Sequence, residues 1–149
     1  MANITESIII NAPIEKVFEY VVDPANGAKF VPGIIEQTNI SPKTAKVGQK
    51  WDWHVNLIGA EFRGKAEVTE LELLKKWAVK TWGDADSFRT YTFESSGEST
   101  KLTIEVEHTI IKGALAALAS IVIDGIHQVN LKQSLAKLKE ILEAPEELK

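Results

Sequence analysis

The chain has 149 residues, with 17 Lys and Arg against 21 Asp and Glu, a net charge of −4 and no cysteine. A single domain of that length buries roughly 70 % of its unfolded surface, and 44 % hydrophobic with 26 % charged residues is ordinary for a globular domain in water. Scattered basic residues exclude the concentrated cationic surface that nucleic acid or an anionic membrane requires, and the lack of cysteine excludes disulfides, thiolate nucleophiles and thiolate metal sites.

An alternating apolar run, Ile4, Ile8 and Ile10, predicts an N-terminal strand that leads into Asn11-Ala12-Pro13. Pro13 suits a first helical position, where its missing N–H costs nothing, and Glu15 meets the helix dipole favourably in the first turn. Ile14, Val17, Phe18, Val21 and Val22 then follow the spacing of one buried helix face. Asp23 followed by Pro24 reads as a stop and a new start, with Asp23 capping a second short helix. That helix ends before Val31-Pro32-Gly33, because a residue preceding proline avoids the helical region.

Strands fill the middle of the chain. Ile34 to Ser41 is one, ended by Pro42. Trp51, Trp53, Val55 and Leu57 alternate with Lys50, Asp52, His54 and Asn56, giving one apolar and one polar face. Gly59 marks a turn, after which Phe62, Gly64, Ala66 and Val68 alternate with Arg63, Lys65 and Glu67. Lys76 to Trp82 is a further strand, closed by a Gly83-Asp84-Ala85-Asp86-Ser87 turn. Phe88 to Glu94 returns, Ser95-Ser96-Gly97-Glu98 turns again, and Leu102, Ile104, Val106 and His108 share one face of the last strand. The total is about seven strands joined by short turns, hence a largely antiparallel sheet.

The last element is a helix from about Ala114 to Leu142 with two apolar stripes. Leu115, Leu118, Val122, Ile126 and Val129 form one; Leu131, Leu135, Leu138 and Leu142 form another on roughly the opposite side. Either the helix bends near Gly125, or its first turns pack on something different from its last. The run Gly113 to Ile123 is apolar nearly all round and should be covered on more than one side, yet is shorter than the ~20 residues of a bilayer span. Met1 to Glu6 shows neither a basic region nor a signal-like apolar core. These features, with the absence of cysteine, predict a cytoplasmic protein. Residues 1–144 are expected to form the domain and the charged residues from 145 to 149 a frayed tail.

Taken in order, Ser7-Ile8-Ile9-Ile10-Asn11-Ala12-Pro13-Ile14-Glu15-Lys16-Val17-Phe18, Val22-Asp23-Pro24, Val31-Pro32-Gly33, Thr100-Lys101-Leu102 and Gly113-Ala114-Leu115 resemble the START / Bet v 1-like superfamily, and within it the polyketide cyclase/dehydrase group. The resemblance spans nearly the whole chain. It implies an α+β helix-grip fold: a seven-stranded antiparallel sheet curled around a long C-terminal helix, in the order strand, two helices, six strands, helix. It also implies a cavity for a lipophilic ligand, since members bind lipids, sterols, quinones, polyketides or plant hormones. It implies no particular reaction, because chemistry belongs to a site and not to a fold.

Candidate wall residues follow from the strand phases. Trp51, Trp53, Phe62, Trp77, Ile104, Val106 and His108 can line an apolar pocket or simply fill a core; Leu118 and Val122 on the helix would close it, and Gly64 and Ala66 are small enough to leave room opposite that helix or to let it pack closely. His108 ends an apolar face and is a possible general acid or base, though a satisfied core or rim histidine is the commoner case. Glu6 shares the phase of Ile4, Ile8 and Ile10, and would adjoin His108 if the first and last strands pair; strand-end polarity is the plainer account. Tyr91 is a third proton carrier. His54 lies on a polar face and is expected in solvent, His127 sits in the helix, and Asp84 and Asp86 are better explained by a turn than by a metal. No cofactor or metal is expected. The leading expectation is binding or carriage of a small lipophilic molecule, with no nucleic acid and no integral membrane partner and the oligomeric state open. The alternatives are a cofactor-independent cyclase/dehydratase-type enzyme using Glu6, His108 or Tyr91, and a protein-interaction module that docks through Gly113–Ile123.

Overall fold

The fold is taken from a computed structural model that describes residues 3–57, 59–111 and 116–144, with the side chains of 57, 108–111 and 116–127 outside that description. The chain runs β1 (Ile4–Ile10), α1 (Ile14–Val21), a 3₁₀ turn (Pro24–Asn26), α2 (Gly27–Phe30), β2 (Ile34–Ser41), β3 (Lys50–Leu57), β4 (Ala60–Glu72), β5 (Lys76–Gly83), β6 (Ala85–Ser96), β7 (Ser99–Ile111) and α3 (Ala116–Glu143). All strands join one seven-stranded antiparallel sheet in the order β1-β7-β6-β5-β4-β3-β2. This is the helix-grip α+β fold expected from the sequence. Among the described residues no helix is long and apolar enough to cross a membrane.

The N-terminal helices form where the local chemistry directs them. Pro13 stands one position earlier than expected, at the N-cap, because its ψ of 150° is extended. Val17, Phe18 and Val21 are buried beneath α1, and the Phe18 ring meets Phe93 of β6 edge-on with centroids 5.0 Å apart. The Asp23 carboxylate accepts from the Ala25 N–H at 3.0 Å and caps the 3₁₀ turn, which passes directly into α2.

Two features of the sheet depart from the sequence expectation. The Gly83–Ser87 loop is much tighter: β5 runs to Gly83 and β6 begins at Ala85. Asp84 is bonded to Arg63 on β4 twice, its N–H donating to the carbonyl at 3.0 Å and its carboxylate accepting from the Arg63 N–H at 2.8 Å. Those bonds hold the bend against the sheet, so that Ala85, Asp86 and Ser87 are strand residues. A register shift also lies between Val68 and Glu70 against β5; the extra residue re-phases the strand, so that Leu71 stands opposite Trp77.

The helix α3 is assigned continuously through Gly125. Leu131, Leu135, Leu138 and Leu142 are all buried, as their stripe predicts. Val129, grouped with the other stripe, is 53 % exposed; two residues at about 100° each place it on the far side of the helix from Leu131. The remaining members of that stripe, and the Gly113–Ile123 run read as a docking segment, lie outside the described side chains. The end of α3 is moored to β1: Glu143 accepts from the Asn11 N–H at 2.8 Å and Lys139 donates to the Ile9 carbonyl at 3.1 Å. Thr100, fully buried at the start of β7, donates to the Ala12 carbonyl at 2.8 Å, which ties the Thr100-Lys101-Leu102 segment to Asn11-Ala12-Pro13.

Candidate functional site

A cavity of about 150 Å³ lies between the inner face of the sheet and the helices α2 and α3. Its floor is aromatic. Trp51, Trp53 and Val55 reach it from β3, Phe62 and Ala66 from β4, and Trp77 and Val79 from β5. Period-two alternation places these residues on one face, and the antiparallel register sets Trp51 opposite Ala66, Trp53 opposite Gly64 and Val55 opposite Phe62. The Trp51 and Trp77 rings are 6.1 Å apart and nearly parallel at 17°, and Trp77 meets Tyr91 at 4.9 Å. Beside the hollow the packing is tight: a Cβ at position 64 would collide with the Trp53 ring and the Trp82 carbonyl.

Of the expected wall residues, Trp51, Trp53, Phe62, Ala66, Trp77 and Val106 line the cavity, as does Tyr91. Ile104, 1 % exposed, is core and stands outside the lining. The side chains of His108, Leu118, Val122 and His127 lie outside the described residues. Strands β1 and β7 do pair, but the register sets Glu6 opposite Ile104. That leaves Glu6 four residues from position 108 along β7, about 13 Å at strand rise, so the register does not bring the Glu6 and His108 backbones together. Among the described residues no group of three or more His, Asp or Glu side chains is arranged to hold a metal.

Several wall residues were not anticipated. Val21, Pro24, Gly27, Phe30, Val31 and Pro32 bring the helical segment to one end of the cavity; capping and turn chemistry reads from sequence, whereas which side of the turn meets a pocket does not. Thr81, Ala85, Ser87 and Arg89 continue the wall beyond Tyr91. The signal for the β6 members was present, since Ala85, Ser87, Arg89, Tyr91 and Phe93 alternate, but the Asp84/Asp86 turn reading masked it. Gln37 was missed altogether. Its carboxamide donates to the Pro24 carbonyl at 2.5 Å and accepts from the Trp51 indole N–H at 3.1 Å, joining the helical segment to the floor. Gly27 permits this, because a Cβ there would overlap the Gln37 amide.

Polar groups on the wall divide into committed and uncommitted. Trp53 donates to the Lys65 carbonyl at 2.9 Å, and Thr81 and Ser87 share a hydrogen bond of 2.6 Å. Ser134 donates to the Asn130 carbonyl at 2.8 Å. The Trp77 indole N–H is buried with no acceptor among the described residues. Beside the cavity, burial and then the Asp23 charge hold the Tyr20 hydroxyl above its ordinary range. On the outer face, His54 is less exposed than expected, at 13 % for its side chain, because it stands 2.6 Å from Glu61 and 3.9 Å from Glu36.

A model of the family described as polyketide cyclase / dehydrase and lipid transport matches residues 1–143. No curated protein matches the chain. Among solved structures, the Zhui aromatase/cyclase of Streptomyces sp. R1128 superposes with a TM-score of 0.80 at 14 % identity, covering 95 % of this chain and 93 % of that one. A protein of Thermus thermophilus gives 0.78 at 18 % identity, covering 93 % and 95 %. A protein of Chromobacterium violaceum gives 0.73 at 21 % identity, covering 97 % and 100 %. At these identities the likeness establishes the fold alone.

Proposed function

The chain belongs to the polyketide cyclase / dehydrase and lipid transport family, and on that premise we propose that it binds or carries a small lipophilic molecule in the cavity between its sheet and its helices. Family membership supports a ligand-binding or cyclase-type role; the cavity wall favours the first. The observation that carries the reading is the aromatic floor of Trp51, Trp53, Phe62 and Trp77 around open space, since apolar area removed from water contributes about 25 cal/mol per Å² to binding. The volume of about 150 Å³ is below the ~300–1,000 Å³ of sites for larger ligands. Cavities of about that size accept a single ring.

Native mass spectrometry on gently purified protein, paired with thermal shift against ring-sized aromatics, short-chain lipids and quinones, tests the reading. The expected result is a retained small molecule or a dose-dependent rise in melting temperature for at least one class. An empty protein that responds to none of them removes it.

A cyclase/dehydratase-type reaction is the second reading, and Tyr91 is the observation in its favour. Of the proton carriers expected from sequence, Tyr91 lines the cavity, and a proton transfer needs its acid or base within hydrogen-bond reach of the substrate. Tyr91→Phe separates the two readings: carriage survives the loss of the hydroxyl, whereas turnover of a bound polyketide-like substrate does not.

A further inference from the structure

The cavity wall is unequal in its hydrogen-bonding groups. Gln37, Thr81, Ser87 and Ser134 are already bonded within the protein. The Trp77 indole N–H is not: the residue is 4 % exposed, and its nitrogen has no acceptor among the described residues. Arg89 is the cation among the described wall residues, half-buried on the interior strand β6, and makes no hydrogen bond or ion pair with any described residue. Its cross-strand neighbours are Val79 and Val106, 3 % and 5 % exposed, so its stem runs between apolar side chains. Asp23, the other charged residue among the described wall residues, is exposed at the helical end, where its carboxylate caps the Ala25 N–H.

An indole N–H only donates, and a guanidinium only donates and stays charged. A buried donor left without an acceptor costs about 1–3 kcal/mol, and a guanidinium in apolar surroundings gains most from a bidentate oxyanion. Trp77 stands opposite Tyr91, and Val79 opposite Arg89. Trp77 and Arg89 are therefore diagonal neighbours on one face, about 7–8 Å apart with their Cβ atoms somewhat closer, a span bridged by one ring with a substituent.

From this we infer that the ligand is a carboxylate: a ring-sized or short-chain apolar body over the aromatic floor and against the Trp77 indole, its carboxylate on the Arg89 guanidinium. The inference rests on the cavity-binding reading above and narrows its ligand class.

The test compares matched pairs by titration calorimetry: benzoate with benzamide, and octanoate with octanamide. Each acid should bind at least about tenfold more tightly than its amide, the factor one charge-assisted hydrogen bond supplies. Arg89→Met should bring each pair to near equality, the acid losing at least about tenfold more affinity than its amide, and Arg89→Lys should retain part of the preference. Trp77→Phe should weaken every probe and keep the preference. Amides that bind as tightly as acids, or a preference that survives Arg89→Met, overturn the inference and leave the cavity reading standing. No binding by any of the four overturns this inference, while the cavity reading is decided by the wider screen of aromatics, lipids and quinones. The wild-type comparison needs no variant to fold.

Discussion

Trp53 and Gly64 face each other across β3 and β4, and the indole occupies the space where any side chain on residue 64 would stand. The Trp82 carbonyl closes the same space from β5, and Gly83, with φ of 126°, lies against Gly64 in turn. The ring can rotate away from a methyl group; a carbonyl in the sheet cannot. Gly64→Ala is expected to destabilise the fold by about 1–3 kcal/mol, the usual cost of overpacking, and to turn Trp53 into the cavity. Urea denaturation reads the first effect and loss of probe binding the second. Unchanged stability would mean that the two strands separate freely at this point.

Gln37 links three elements with one side chain, so replacing it leaves two groups without partners. Gln37→Met keeps the volume but strands the Trp51 N–H and the Pro24 carbonyl. A loss of about 1–3 kcal/mol is expected in a urea titration. Gln37→Glu, which retains an acceptor for Trp51 but no donor for Pro24, should fall between wild type and Gln37→Met.

Ala66, fully buried, presents only a methyl group to the cavity opposite Trp51. Ala66→Leu grows into space that is already open, so its cost in stability should fall below the roughly 1–3 kcal/mol of overpacking a filled core. Affinity for ring-sized probes should drop by at least about tenfold, as a bulky group displaces ligand contacts worth over ~1.4 kcal/mol. Thermal melting and calorimetry on the same sample separate the two. Retained affinity would place the ligand elsewhere.

Much of this architecture reads directly from the residues. Asp23-Pro24 announces a helix boundary because an Asp cap and a fixed proline φ leave few other conformations. Leu131, Leu135, Leu138 and Leu142 announce a buried face by their spacing alone. Trp51 and Trp53 announce one side of a sheet. What escapes is long-range. The register shift near Thr69 re-phases β4 without any special residue. The strand character of Ala85, Asp86 and Ser87 depends on bonds between Asp84 and Arg63, 21 residues away. Gln37 resembles any polar strand residue until the Gly27 backbone is brought beside it. Helical spacing sets Val129 opposite Leu131, but only the packing shows that the Val129 side is the exposed one.

The carboxylates that moor the surface set the acid response. The Asn11 N–H and then the Lys139 ammonium hold Glu143 below its ordinary value of 4.5, and hydrogen bonds from Lys65 and then Asn39 hold Asp52 below 3.8. A folded-state value below the unfolded one stabilises the native chain above the unfolded value, and this contribution disappears as pH falls through the folded one. Glu143→Gln should therefore cost stability at neutral pH, by less than about 1 kcal/mol for so exposed a group. The gap from wild type should close as the pH is taken below 4.5. Urea midpoints across that range check the sign; a gap that widens in acid contradicts it.

Three of the four tryptophans, Trp51, Trp53 and Trp77, border the same small hollow. Most of the chain's tryptophans therefore stand at the wall of that space, where a bound molecule would meet them. Occupancy is written into the colour and intensity of the protein's own light, so an unlabelled sample in a cuvette suffices to screen compounds and to follow their arrival and departure in real time.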